Sequence, residues 1–189
     1  MTERSILKNV SPVIGTDDRE ACSKFWVALY TRPRSEKKAS SELNRLGIET
    51  YLPIQKQLKL WSDRKKYINV TVIPMIIFAH INDNELLTIK QHSLIINILT
   101  FPGSKQPAHI PDKQIDNLKF MLGQSNVPVD FLQGSFFTDE KVIVVRGGLK
   151  GLVGTVTDVL DDMTTVWVAI DLLGGVIIKL KSTEVEHYM

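Results

Sequence analysis

Residues 142–156 read VIVVRGGLKGLVGTV, and the spacing of their valines and glycines sets the character of the last third of the chain. Val142, Val144 and Val156 fall where one strand face is buried. Gly147 and Gly148 permit a tight turn at positive φ, and Gly151 and Gly154 let the next strand bend and approach its neighbour closely. A phosphate loop is excluded, because no G-x-x-x-x-G-K-[ST] run is present and the glycines precede a strand. The flanking segments KVIVVRGG, GLVGTVTDVL, TTVWVAIDLLGG and VIIKLKSTEVEHY are β-branched runs separated by Gly or Asp-Asp turns, with no helical stripe longer than two turns. A piece this small must close or roll its sheet to bury enough surface, which predicts a small β-barrel over 138–189.

Working back toward the N-terminus, strands and helices alternate. FWVALYT, Phe25 to Thr31, is a strand stopped at Arg32-Pro33. Ser35 is placed to cap a helix with Glu36 in its first turn, Ala39, Leu43 and Leu46 form its apolar stripe, and Gly47 ends it. IETYLPI is a second strand, YINVTVIPMIIFAHI one or two strands broken at Pro74, DNELLTIKQ a short capped helix, and LIINILTF a buried strand. Pro111 and Asp112 open a last helix that turns Ile115, Leu118, in part Phe120, and Leu122 toward a sheet. The expected class is α+β: an N-terminal α/β sandwich, antiparallel sheet with helices, followed by the small barrel. The turn-rich stretch GQSNVPVDFLQGS places a linker at 123–137, between a domain at 24–122 and the barrel, with an irregular arm over 1–23.

Composition narrows the function classes. The 189 residues carry 23 Lys+Arg and 21 Asp+Glu, a formal net charge of +2, and the mean hydropathy is −0.01. The balance is uneven: residues 1–130 hold 18 bases and 13 acids, net +5, and residues 131–189 hold 5 and 8, net −3. No apolar run reaches the ~20 residues of a membrane span, and the N-terminus lacks the apolar stretch of a signal peptide. These features predict a cytoplasmic monomer without a membrane partner. One cysteine, Cys22, excludes an intrachain disulfide and a multi-cysteine zinc site. His80, His92, His109 and His187 lie in separate segments without metal-ligand spacing, and Asp17-Asp18 and Asp161-Asp162 look like solvated turns. No catalytic residue, metal or cofactor is expected.

The glycine and valine spacing, followed by AIDLLGG, resembles the KOW motif of NusG-type transcription factors, carried here by Val144, Gly147, Gly151, Gly154 and Val156. WVALYTRPRSEKKASSELNRLGIETYLP looks like the opening of the same family's N-terminal (NGN) domain, and FPGSKQPAHIPDKQIDNLKFML is similar to the segment leading into that domain's last helix. IPMIIFAHI sits where the family usually has a Pro-Gly-Tyr-Val-Phe-Val strand, with Met75 and Ile76 replacing the Gly and Tyr. The resemblance covers about residues 24–189. It implies a transcription elongation or antitermination factor that binds RNA polymerase through the NGN-like domain and recruits a second protein through the KOW-like one. The irregular arm and the IPMII departure lean toward a specialised paralogue of the UpxY/RfaH type, acting on long operons such as those for surface (capsular) polysaccharides. The alternatives are a general NusG-type elongation factor, a ribosome-associated KOW RNA-binding protein, and a plain adaptor with no nucleic-acid contact.

Two surfaces are expected in the first domain and one in the second. Residues 32–66 hold ten bases and four acids, with Trp61 and Tyr67 among them, the pattern of a phosphate-binding face with stacking platforms. Arg32, Arg34, Lys37, Lys38, Arg64, Lys65 and Lys66 are the candidates for contact with upstream or non-template DNA. By resemblance, Ile73 and Ile76, with Val72 and more weakly Tyr30, match an apolar patch that grips the clamp helices of RNA polymerase. On that reading Ile73→Asp would abolish polymerase binding and leave the domain folded, while Phe78 is a core residue. Leu172 and Leu173, beside a glycine turn, match the loop tip that contacts a small-subunit ribosomal protein or the termination factor Rho; of two consecutive strand residues at least one should be exposed.

Overall fold

The computed structural model describes residues 23–60, 64–133, 140–170 and 173–188. Strand β1 (Phe25–Thr31) is central to a first sheet with β2 (Glu49–Tyr51), β5 (Ile76–Ile81) and β6 (Ile95–Ile98), in the order β2-β5-β1-β6. All its pairings are antiparallel, and Trp26 lies opposite His80 and Tyr30 opposite Ile76. Between β2 and β5 the chain leaves the sheet as a separate two-stranded ribbon, β3 (Ile54–Leu60) and β4 (Lys65–Thr71).

Alternation along the strands divides the core into two layers. Val27, Leu29, Ile77, Ala79 and Ile81 pack with Ala39 and Leu43 of α1 (Glu36–Arg45) and Ile89 of α2 (Leu86–Lys90). Trp26, Ala28, Ile76 and Phe78 occupy the opposite face with Ile115, Leu118 and Met121 of α3 (Asp112–Gln124). The sheet is thus covered on both faces, as the alternating pattern of buried residues requires. Two details depart from expectation. Leu46 lies past the end of α1 and is 58% exposed, because the helix stops at Arg45 and Gly47 turns the chain at φ +83. β6 is an edge strand, so Ile96 and Asn97 are exposed while Ile95 and Ile98 are buried.

The remaining strands are β7 (Val129–Leu132), β8 (Lys141–Val144), β9 (Val153–Leu160), β10 (Met163–Ile170), β11 (Gly174–Lys181) and β12 (Val185–His187). They form one antiparallel sheet, ordered β12-β8-β9-β10-β11-β7. Two corrections follow. Among the described residues the pairing does not close into a barrel; the sheet ends on β12 and β7, short strands that limit the exposed edge. The expected linker is in part structural, since its residues 129–132 are β7 and pair with β11.

The glycines follow the expected roles in part: Gly148, expected at positive φ with Gly147, is not, and Gly151 lies in the turn before β9 and not in the strand. Gly147 and Gly151 have φ of +81 and +93 in the β8–β9 connection. At Gly154 a β-carbon would lie 2.5 Å from Val166 Cγ1 and 2.7 Å from the Trp167 carbonyl oxygen, so only glycine admits β10 this closely. Val144 and Val156 are buried. The first domain and the C-terminal sheet also touch. α3 packs beside β10, and Leu118, Met121, Leu122 and Val129 belong to one apolar cluster with Val142, Val144 and Leu152. A β-carbon on Gly148 would stand 3.0 Å from the Gln124 carbonyl oxygen, so the glycine turn also seats against the end of α3.

Candidate nucleic-acid interface

The ribbon is the most exposed regular element of the first domain. Its register sets Leu60 opposite Lys65, Leu58 opposite Tyr67 and Lys56 opposite Asn69, and directly opposed residues share a face. On that face Leu58, Leu60 and Tyr67 are 47%, 72% and 62% exposed, with Lys56 and Lys65 exposed beside them. Lys56 Nζ lies 5.0 Å from the centre of the Tyr67 ring, close enough for a cation–π contact. Three apolar side chains and two ammonium groups in water form an unusual surface for a two-stranded ribbon, and they suit a partner with both flat apolar faces and negative charge.

The other ribbon face is tied down at its root. Gln55 is 3% exposed. Its Nε2 donates to the Val127 carbonyl at 2.8 Å, and its Oε1 accepts the Val129 N–H at 2.9 Å. This amide joins the ribbon to the start of β7. Nothing in its local pattern distinguishes it from the neighbouring Gln57, so sequence reasoning missed it.

The expected basic residues do not form one cluster. Arg64, Lys65 and Lys66 are exposed at the far end of the ribbon, about 20 Å along the strands from its root. Arg32, Arg34, Lys37 and Lys38 are exposed around the β1–α1 turn, where Arg34 holds a φ of +59. The ribbon root approaches this second group through an open cleft of about 560 Å³ lined by Lys37, Ser40, Asn44, Arg45, Leu52 and Ile54. Lys38 is partly engaged, with Nζ 3.8 Å from Glu42 Oε1. Trp61 lies outside the described residues.

The expected apolar patch is not a surface. Val72, Ile73 and Ile76 are 8%, 1% and 3% exposed, and Tyr30 is half-buried against them. The correction has a topological cause: Tyr30 and Ile76 lie on the face of the first sheet that α3 covers, Val72 and Ile73 in the β4–β5 connection join the same apolar cluster, and that cluster continues into the C-terminal sheet. Met75, between Pro74 and Ile76, adopts φ +61, a left-handed conformation that costs a residue with a β-carbon about 1–2 kcal/mol. It is held from two sides: Met75 N–H donates to Glu36 Oε1 at 2.9 Å, and its carbonyl accepts Thr31 N–H at 2.8 Å. Leu173 is likewise buried, at 6% exposure, in the core of the C-terminal sheet, so it offers no docking surface. Leu172 lies outside the described residues.

Among the described residues no three His, Cys, Asp or Glu side chains converge as a metal site, and no helix is long and apolar enough to cross a membrane. His80 stacks on Trp26 and bonds Glu49 at 3.0 Å; His92 bonds Glu42 at 3.2 Å.

A family model described as "Transcription termination factor nusG" matches residues 24–119, just over half of the chain. Among solved structures, one described as "Domain interaction in Thermotoga maritima NusG" matches with a TM-score of 0.54 and 18% identity, covering 89% of this chain and 99% of that chain. The MjSpt4:Spt5 complex in its conformation B is 15% identical over 86% of this chain and 95% of that chain, with a TM-score of 0.28. No curated protein matches.

Proposed function

The chain belongs to the NusG family, and from that premise we propose that it is a transcription elongation and antitermination factor that binds RNA polymerase through its N-terminal α/β domain. The ribbon bases Lys65 and Lys66, with Lys56 and Tyr67 nearer the root, would lie against upstream or non-template DNA, and Arg32, Arg34 and Lys37 would extend the contact along α1. The C-terminal sheet, which carries the KOW-like motif, would recruit a second protein, a small-subunit ribosomal protein or Rho. The observation that carries this reading is the exposed basic and aromatic face of the ribbon, set on a domain of this family.

The packed arrangement of α3 and the C-terminal sheet is read as a resting state. Tyr30, Val72, Ile73 and Ile76 can meet a polymerase helix only if the apolar cluster that encloses them opens. Tethering then keeps the released sheet at high effective concentration beside the polymerase. The specialised role at long surface-polysaccharide operons is the preferred form of this function. It is supported by the left-handed Met75 in place of the family's usual glycine, a departure at the strand that faces the cluster.

The test is binding of the full chain to RNA polymerase on a nucleic-acid scaffold, followed by transcript coverage after gene deletion. Lys65→Glu with Lys66→Glu should weaken scaffold binding and flatten its salt dependence, because two phosphate contacts are lost. Unchanged binding would remove the ribbon from the interface. Loss of distal reads throughout the genome would favour the general elongation factor over the specialised one.

A further inference from the structure

The C-terminal sheet carries a second exposed surface at the tip of its β9–β10 hairpin. The β9–β10 hairpin turns at Leu160-Asp161-Asp162-Met163, with Asp161 at φ +53. Val159, Leu160 and Met163 are 58%, 68% and 37% exposed. Asp158, Asp161 and Asp162 surround them, all exposed, and among the described residues none forms a salt bridge. The nearest base in the register is Lys181, opposite Met163. The tip is convex, apolar and acidic.

The ribbon supplies its complement. Between the ribbon and the chain after α3 lies a cleft of about 790 Å³, lined by Lys56, Leu58, Tyr67, Leu122, Val127 and Pro128 among others. Gln55, Gln57, Ser125 and Asn126 line it as well, so its wall is more polar than apolar; Lys56 is the base in the lining, and Lys65 lies outside it on the ribbon face that carries Leu58 and Tyr67. In one chain the two surfaces do not meet, since Leu160 and Leu58 are both exposed.

We propose that the acidic β9–β10 tip of one copy docks into the ribbon cleft of a second copy, with Leu160 and Met163 against Leu58 and Tyr67 and the aspartates facing Lys56 and Lys65. Several points select a second copy of the chain as the occupant. Three uncompensated carboxylates repel nucleic acid and anionic lipid. The required counterpart, exposed Leu58 and Tyr67 beside Lys56 and Lys65, is present on the same protein. A two-fold arrangement would use both tips and both clefts and close the assembly at two chains. Each contact involves only a few side chains, so the association is weak and falls with salt. It covers the ribbon face, which would leave the free protein with that face masked. The proposal does not depend on the ribbon binding DNA.

Sedimentation velocity of the full chain at low ionic strength tests it. The mass should rise with concentration from 21.4 kDa toward twice that value, and high salt should reverse the rise. Asp158→Lys with Asp162→Lys should keep the protein monomeric, and so should Lys56→Glu with Lys65→Glu, each with the wild-type thermal midpoint. The chain carrying all four changes should associate again. If a reversed pair disturbs folding, Leu160→Ser, at an exposed position, takes its place and should also be monomeric. A wild-type chain that stays monomeric at several hundred micromolar would overturn the proposal. So would association that survives either reversed pair, or a fourfold variant that does not regain it.

Discussion

Gln55 Oε1 accepts the Val129 N–H at 2.9 Å, a bond between residues 74 positions apart that fixes the ribbon root to the first residue of β7. Because β7 is an edge strand of the C-terminal sheet, this amide links the ribbon to that sheet. Gln55→Ala would leave the buried Val129 N–H and the Val127 carbonyl without this partner. The expected cost is about 1–3 kcal/mol, read from the urea midpoint, together with faster hydrogen exchange at Val129. An unchanged midpoint with unchanged exchange would show that the link carries no energy.

Ile73 is 1% exposed, so an aspartate there is a buried carboxylate with no partner. Ile73→Asp is expected to destabilise the domain by on the order of 4 kcal/mol or more, combining the lost apolar burial with an uncompensated polar group. A cooperative thermal unfolding curve near the wild-type midpoint would contradict the burial. The substitution is therefore a poor probe of polymerase docking on a folded domain, contrary to what the sequence pattern suggests.

Met75 occupies φ +61 with a β-carbon. Met75→Gly keeps both backbone hydrogen bonds, to Glu36 Oε1 and from Thr31 N–H, and relieves the left-handed strain. It should raise stability by about 1 kcal/mol, whereas Glu36→Ala should lower it by a similar amount. If Met75→Gly is destabilising by denaturant titration, the side chain contributes packing that outweighs the strain.

Burial pushes the Tyr51 hydroxyl above its ordinary value of 10.0, because the phenolate would lose solvation. A folded-state pKa raised above the unfolded one leaves stability intact below about pH 10. It removes stability as pH climbs through the window above, where the unfolded chain releases the proton first. Urea midpoints should therefore fall more steeply above pH 10 in the wild type than in Tyr51→Phe. Parallel curves would place the alkaline loss elsewhere.

Much of the architecture was legible because it depends on local pattern. β1 runs over the seven residues read as a strand, and Pro74 separates β4 from β5. α3 buries Ile115, Leu118 and Leu122 as its spacing predicts, while Phe120, expected to face the sheet in part, is exposed and Met121 is buried in addition. Positive φ at Gly47 and Gly147 matches the turns inferred there, whereas the second positive φ of the β8–β9 connection falls at Gly151 and not at Gly148. Of the candidate site, the exposed lysines were legible as charge, and Tyr67 as an aromatic among them. The apolar patch was misread. Alternation shows that Ile73 and Ile76 lie in or beside a strand with two faces, but it is silent on what covers each face.

The sequence alone determined the units: a basic α/β domain, a glycine-punctuated β-sheet of acidic balance, and the turns that shape each. Periodicity and backbone sterics act over a few residues, so one segment contains the information. Only the tertiary structure decided that residues 129–132 join the C-terminal sheet and that this sheet ends on two edges. It alone showed that α3 and the neighbouring cluster enclose Val72, Ile73 and Ile76, and that Gln55 holds the ribbon to the chain beyond α3. Each of these depends on which distant surfaces meet, and burial is a property of both partners, not of either segment by itself.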